Sequence, residues 1–305
     1  MNNSILNTAN TTICVPSPAK LNLFLHITGQ RDNGYHELQT IFQLIDLHDD
    51  IYFQVNQSDT ITLSDANTVD VALEKNLIYR AAIAIKPFAQ LQNAGCEIRL
   101  DKRIPMGAGL GGGSSNAATT LLILNELWQC HLSQQQLIEI GTMLGADVPI
   151  FIVGKNAWAE GIGEIITPIH DLPSQQFVII KPDCFISTQA LFSQKSLTRN
   201  TKPSKFAAYQ QNPSLFGNNF EPLARELYPP VNEAFQYLNQ YGQAKLTGTG
   251  ACVFLEFTHD VQTIGVDVQA IADNAPFQAY LAKSLNTSPV FDYIRADSSD
   301  SRSLI

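Results

Sequence analysis

The sequence predicts a mixed chain of strands and helices, on three observations. The first hundred residues are rich in β-formers arranged as hairpins; a glycine stretch then enters a helical pattern; and a second glycine loop, near residue 248, enters an apolar strand. This is not the regular strand, helix, strand alternation of a parallel α/β sheet.

Taken in order, Ile13-Cys14-Val15 and Leu21 to Ile27 read as strand segments separated by Pro16-Ser17-Pro18-Ala19-Lys20. Two prolines confine that piece to an edge or a bend, which presents Lys20 at a constrained position. Gly29 to Gly34 is a turn by its Asn-Gly pair, and Tyr35 to Ile45 alternates as a half-buried strand should. Asp49-Asp50 is expected to close that hairpin, with Ile51 to Val55 and Thr60 to Leu63 continuing the β-rich run. Asn76 to Leu91 has helical spacing, with Leu77, Ala81, Ile85 and Phe88 on one face, and Cys96 to Leu100 is a strand. Beyond the glycine stretch, Ala117 to Trp128 is helical, and Ser114 or Ser115 is the expected cap. Ser133 with Gln136 forms a capping box for a helix ending at Gly145. Asp147 follows at a junction into Ile150 to Val153, which reads as a buried strand because Pro149 biases Val148 towards extended geometry. Ala157 to Ile166 and Phe177 to Lys181 are further strands. The region from Asp183 to Gln211 shifts in composition and reads as a long flexible connection, and Glu221 to Leu227 and Val231 to Tyr241 are helical. Residues 296–305 form a polar tail.

Composition excludes several classes of function. The formal net charge of −9 and the lack of a basic run leave no electrostatic basis for binding nucleic acid. The first twelve residues carry no basic or apolar leader, and no stretch approaches the ~18 to 20 apolar residues needed to span a membrane, so a soluble cytoplasmic protein is expected. Five scattered cysteines without a CxxC pair argue against a disulfide framework or a zinc site, and no metal-ligand spacing occurs among the six histidines. Any metal is expected to arrive with a ligand.

The chemistry is carried by Pro105-Met106-Gly107-Ala108-Gly109-Leu110-Gly111-Gly112-Gly113-Ser114-Ser115, with five glycines in seven residues. Such backbone approaches a ligand closely, and at a helix N-terminus it offers N–H donors and the positive dipole end to an anion, most often phosphate. Gly107, Gly109 and Gly112 fit GxGxxG, yet the acid closest to the spacing a dinucleotide fold requires is Glu126, inside the helix. A Walker A loop is absent too, since no lysine precedes Ser114. Phosphoryl transfer from a nucleoside triphosphate remains, with a hydroxyl reaching a phosphate-bound Mg²⁺. It calls for a carboxylate to orient the attacking hydroxyl and a cation beside it, and Asp147 and Lys20 are the candidates.

Together these stretches resemble the GHMP kinases. The matching motifs, in order, are Pro18-Ala19-Lys20-Leu21-Asn22-Leu23, the Pro105 to Ser115 loop, Leu144 to Pro149 and Leu246-Thr247-Gly248-Thr249-Gly250-Ala251. Gly34-Tyr35-His36 and Asn219 to Leu223 narrow the resemblance to the branch that phosphorylates a cytidine-diphosphate-linked polyol in non-mevalonate isoprenoid biosynthesis. The resemblance implies an α+β fold of two domains. Residues 1–160 would form a ribosomal-protein-S5-like ATP-binding domain and 161–295 a ferredoxin-like substrate domain, with the active site in the cleft between them. It implies Asp147 as general base and Lys20 as the lysine that orients it. Pro105, Met106, Gly107, Ala108, Gly109, Leu110, Gly111, Gly112, Gly113, Ser114 and Ser115 would wrap the ATP phosphates, Ser115 being the contact to phosphate or Mg²⁺ without a protein cage for the metal. Asn76, Leu77 and Lys102 would surround the adenosine. Asn22, Tyr35, His36 and Phe192 would form the cytidine-diphosphate site, and Gly248, Thr249 and Gly250 the polyol end. The partners implied are ATP with Mg²⁺ and a small-molecule alcohol, on a monomer or homodimer. The rivals are a GHMP kinase for mevalonate, homoserine or a sugar, and a non-catalytic nucleotide-binding protein on the same fold.

Overall fold

The computed structural model describes residues 11–65, 72–258 and 267–294, so the expected tail at 296–305 lies outside the described residues. The chain opens with two long antiparallel strands, β1 (Thr12–Gln30) and β2 (His36–Asn56), joined by the expected turn, in which Gly34 has φ +86°. The prolines are accommodated because β1 borders the sheet, pairing with β2. Between Pro18 and Ala19 the register jumps from His48 to Ile45, a bulge that bends β1 immediately before Lys20.

Asp49-Asp50 does not close a hairpin. Both lie inside β2, and Asp49 is wholly buried. Its carboxylate accepts hydrogen bonds from the backbone N–H of Arg103 and Ile104, each at 2.7 Å, and from Asn116 Nδ2 at 2.8 Å, with Lys102 Nζ at 2.9 Å. A carboxylate bound this fully is stable inside a strand, which the turn propensity of Asp does not anticipate.

β3 (Ile61–Asp65) follows, then α1 (Leu77–Ile85), β4 (Gly95–Asp101) and α2 (Gly112–Leu127). α1 stops earlier than its periodicity suggests because Pro87 turns Lys86–Phe88 into a single 3-10 turn, leaving Phe88 exposed. α2 begins at Gly112 with Gly111 as its cap in the left-handed region, φ +72°, so Ser114 and Ser115 lie within the first turn and do not cap it. α3 (Gln134–Leu144) carries the expected capping box. Ile150 to Val153 belongs to a helix, α4 (Val148–Val153), with Pro149 in its first turn, where its missing N–H costs nothing. The apolar run is buried on all sides, a pattern shared by core helices and core strands.

The second half comprises β5 (Ala157–Glu160), β6 (Ile165–Pro168), β7 (Gln175–Lys181), α5 (Thr188–Phe192), α6 (Phe206–Gln211), α7 (Glu221–Leu227), α8 (Pro229–Leu238), β8 (Lys245–Leu246), β9 (Val253–Thr258), α9 (Val268–Asp273) and β10 (Gln278–Leu285). Among the described residues the strands run in the order β3-β4-β2-β10-β7-β9-β8, with β1 and β5 also on β2 and β6 on β5. The stretch after Asp183 is not a loose connection: Thr201 N–H donates to Ile27 O, Ser204 N–H to Gln39 Oε1, and Thr201 Oγ1 to Asn219 Oδ1.

Three apolar clusters hold the molecule. One packs α1 to α4 on β2 and β4 around Trp128; a second packs α7, α8 and α9 on β7 and β9. The third lies between them, where Leu21, Leu23 and Ile45 meet Phe177, Phe254 and the loop residues Ile104, Ala108 and Leu110. The glycine loop therefore rests on the core that joins the two halves.

Candidate active site

The loop is pinned by its carbonyls. Cys252 N–H donates to Ala108 O at 3.2 Å, Lys20 N–H to Leu110 O at 3.0 Å, and Thr247 Oγ1 and Lys20 Nζ to Gly109 O at 3.1 and 3.0 Å. In a trans peptide the N–H points opposite to the carbonyl, so the N–H groups of Gly109, Leu110 and Gly111 turn to the open side, ahead of the N-terminus of α2. Oriented donors at a helix start form an anion cradle. Glycine is required here by geometry: at Gly109, φ +74°, a Cβ would overlap the Thr247 carbonyl oxygen, and at Gly111 it would lie 2.9 Å from Phe151 Cζ.

Two cavities meet at this loop. The first, about 350 Å³, is lined by the loop from Pro105 to Ser114 together with Asn76, Leu77 and Lys102. Asn76 is held there as the N-cap of α1, its side chain accepting from Ile78 N–H. Lys102, besides its pairing with Asp49, donates to Ile104 O. The second, about 1040 Å³, contains Lys20, Asn22, Tyr35, His36, Asp147, Phe192 and Gly248 to Gly250. Gly107, Gly109 and Gly111 line both.

Lys20 and Asp147 come together although 127 positions separate them in sequence: Lys20 Nζ lies 3.5 Å from Asp147 Oδ2. The lysine side chain is 3% exposed and the carboxylate 37%, so a buried amine lies behind an accessible carboxylate. Burial lowers the Lys20 pKa, opposed by the attraction of Asp147. Asp147 occupies the cap position of α4 but makes no capping bond, which leaves its carboxylate to the cavity. Asn22 also reaches the cavity, but its amide serves the protein: Oδ1 accepts from Lys20 Nζ and Nδ2 donates to Thr40 Oγ1.

At the far end of the larger cavity Tyr35 is 60% exposed, and the His36 ring stacks on Phe192, with centroids 4.5 Å apart and planes at 28°. Gly248, Thr249 and Gly250 line the near end, and Thr249 Oγ1 is 2.8 Å from Thr188 Oγ1. Ser115 is the one loop residue that the structure takes out of the site. Its side chain is wholly buried, its hydroxyl donating to Pro18 O and lying 2.8 Å from Ser17 Oγ, because one residue along a helix is a turn of about 100° away from the cradle that Ser114 lines. Sequence reasoning missed Asp49, which ties the loop's entry to β2, and Arg199, which bonds to His36 at 3.1 Å.

The sequence descriptions of the GHMP kinases N terminal domain and the GHMP kinases C terminal match residues 76–155 and 203–270. A 4-diphosphocytidyl-2-C-methyl-D-erythritol kinase of Acinetobacter baumannii is 63% identical over 278 residues, covering 91% of this chain and 97% of the relative. The chain belongs to the 4-diphosphocytidyl-2-C-methyl-D-erythritol kinase family of the GHMP kinases. A second family member, from Acinetobacter baylyi, is 59% identical, with 92% of this chain and 99% of the relative covered. The crystal structure of a 4-(cytidine 5'-diphospho)-2C-methyl-D-erythritol kinase superposes with a TM-score of 0.73 at 29% identity, over 89% of this chain and 99% of that one. A mevalonate kinase structure at 16% identity and TM-score 0.64 shares the GHMP kinase fold. Among the described residues no helix is long and apolar enough to cross a membrane, and no group of three or more His, Cys, Asp or Glu is arranged to hold a metal ion.

Proposed function

We propose that this chain transfers the γ-phosphoryl group of ATP to the 2-hydroxyl of 4-diphosphocytidyl-2-C-methyl-D-erythritol, a step in non-mevalonate isoprenoid precursor synthesis. The observation that carries the reading is the meeting of two cavities on Gly107, Gly109 and Gly111, with the Lys20–Asp147 pair beside the junction. The smaller cavity takes ATP, its phosphates on the outward N–H groups and its adenosine near Asn76, Leu77 and Lys102. The larger takes the acceptor, with the base at Tyr35, His36 and Phe192 and the polyol against Gly248 to Gly250.

Asp147 accepts the proton of the attacking hydroxyl as its oxygen bonds to the γ-phosphorus and the bond to the bridging oxygen of ADP breaks. Lys20, fixed by Asn22 and Gly109 O, holds Asp147 in place and opposes the negative charge that develops. The residues present fit Mg²⁺ that arrives on the nucleotide: Ser114, which carries a hydroxyl, lines the smaller cavity beside the loop backbone. Bound there, the metal would neutralise phosphate charge. The two domains meet near residue 160 on this reading, and the protein works in the cytoplasm as a monomer or homodimer.

The test is ADP release with 4-diphosphocytidyl-methylerythritol against mevalonate, homoserine and galactose. Turnover restricted to the cytidylyl acceptor supports the proposal. Turnover with another alcohol moves the chain to a different GHMP substrate, and silence with all of them revives a binding role.

A further inference from the structure

Arg199 stands outside the walls of the larger cavity, yet it touches the base end of it from behind. Its Nε donates to His36 Nε2 at 3.1 Å. Its two terminal nitrogens donate to the carbonyls of Leu197 (3.1 Å), Phe192 (2.6 Å) and Gln194 (2.8 Å). One guanidinium thus joins two parts of the base site that come from distant sequence: His36 at the start of β2 and the segment that carries Phe192 at the end of α5. Phe192 is further fixed by Phe220, edge-on at 4.8 Å.

Guanidinium is always protonated and has no acceptor, so a bond from it to an imidazole nitrogen settles which nitrogen is bare. His36 Nε2 must accept, and in the neutral ring the hydrogen then sits on Nδ1. A base held against this ring meets a donor. Cytosine offers acceptors at N3 and O2 on its pairing edge. Uracil carries a hydrogen at N3, and a donor facing that hydrogen leaves both groups unpaired, which is costly in a desolvated site.

We infer that Arg199 is a positioning residue that locks His36 as the Nδ1–H tautomer, and that it thereby sets a preference for a cytosine over a uracil base in the acceptor. Burial and the Arg199 charge both lower the His36 pKa, which favours the neutral ring that this role needs. The inference rests on the reading of the larger cavity as a nucleotide-acceptor site, and it adds a group that does not itself touch the acceptor.

The experiment combines steady-state kinetics with nitrogen-15 NMR of the histidine side chains in the full-length protein, wild type against Arg199→Met and Arg199→Lys. The acceptors are the cytidine-diphosphate and uridine-diphosphate forms of the same polyol. In the wild type, His36 Nε2 shows the shift of a bare, hydrogen-bonded acceptor and Nδ1 that of an N–H. Arg199→Met mixes the tautomers, raises KM for the cytidine acceptor by about tenfold or more, narrows the cytidine to uridine preference, and leaves KM for ATP unmoved. Arg199→Lys, which keeps a donor, recovers most of the preference. An Nε2–H tautomer in the wild type would overturn the inference, and so would a rise in KM for both nucleoside acceptors and ATP in step, which is the mark of a merely structural role. Failure of the wild type to turn over either acceptor would overturn the acceptor reading together with the base preference built on it; the tautomer spectrum, which needs no substrate, separates that failure from an error about Arg199.

Discussion

At the scale of single residues, the Lys20–Asp147 pair carries the sharpest expectations. Asp147→Asn keeps the size of the side chain and removes the proposed base, so kcat should fall by about 10²- to 10⁴-fold while the Kd for ATP by calorimetry stays within a few-fold. A well-folded variant with full turnover would dismiss Asp147 as base. Lys20 adds a pH signature. Its folded-state pKa is depressed below the ordinary 10.5, so between the two values the unfolded chain binds more protons than the folded one. Stability of the wild type relative to Lys20→Met should therefore rise with pH through the folded pKa and level off near 10.5, measured as the difference in urea midpoints. A difference that is flat with pH would mean that burial does not disfavour the ammonium. Both residues were legible in the sequence because each sits in a motif with restricted backbone. Arg199 was not, since a lone arginine in a polar stretch leaves no trace of its partners, and Ser115 misled because two adjacent serines on a helix face different ways.

At the scale of elements, the glycine loop is held by a fit that side chains would spoil. Gly109→Ala places a Cβ in the left-handed region against a backbone carbonyl, so the loop must move off Thr247. Left-handed backbone costs an L-residue about 1–2 kcal/mol, so the melting temperature should drop by several degrees. ATP affinity should weaken at least tenfold. Unchanged ATP binding would show that the cradle tolerates displacement. Helix α3 was readable from its capping box, and the strand, glycine loop, helix order from local chemistry. α4 was not, because a short apolar run buried on all sides has no period to separate helix from strand, and a proline early in it suits a first helical turn as well as a strand start. The length of β2 escaped for a related reason: Asp49 was weighed by its turn propensity, whereas its four donors lie more than 50 residues away in sequence.

At the scale of the molecule, β10 passes from pairing with β7 to a two-residue ladder with β2, so the strands of both halves share one sheet, and the third apolar cluster fills the space between them. Unfolding should then be cooperative. Trp128 lies in the first cluster and Trp158 in the third, so Trp158→Phe and Trp128→Phe variants each leave one reporter. In each variant the remaining tryptophan's fluorescence and far-UV circular dichroism should show the same denaturant midpoint. Separate midpoints would mean that the halves melt independently. The family was legible across nearly the whole chain because its motifs cluster at the site. The continuity of the sheet was not, since it depends on pairing between residues 44–45 and 284–285, about 240 positions apart.

The loop that lines both cavities has no side chains at the junction itself. Gly107, Gly109 and Gly111 place only backbone between the two chambers, so no loop side chain divides them there. On the proposed reading, a single molecule that joins adenosine to the polyol through a short polyphosphate tether would lie across both, and once one end is seated the other is presented at a high local concentration. Because the backbone there is pinned by β1 and by the loop before β9, little ordering remains to oppose such a tether, and its affinity should exceed what either half achieves alone.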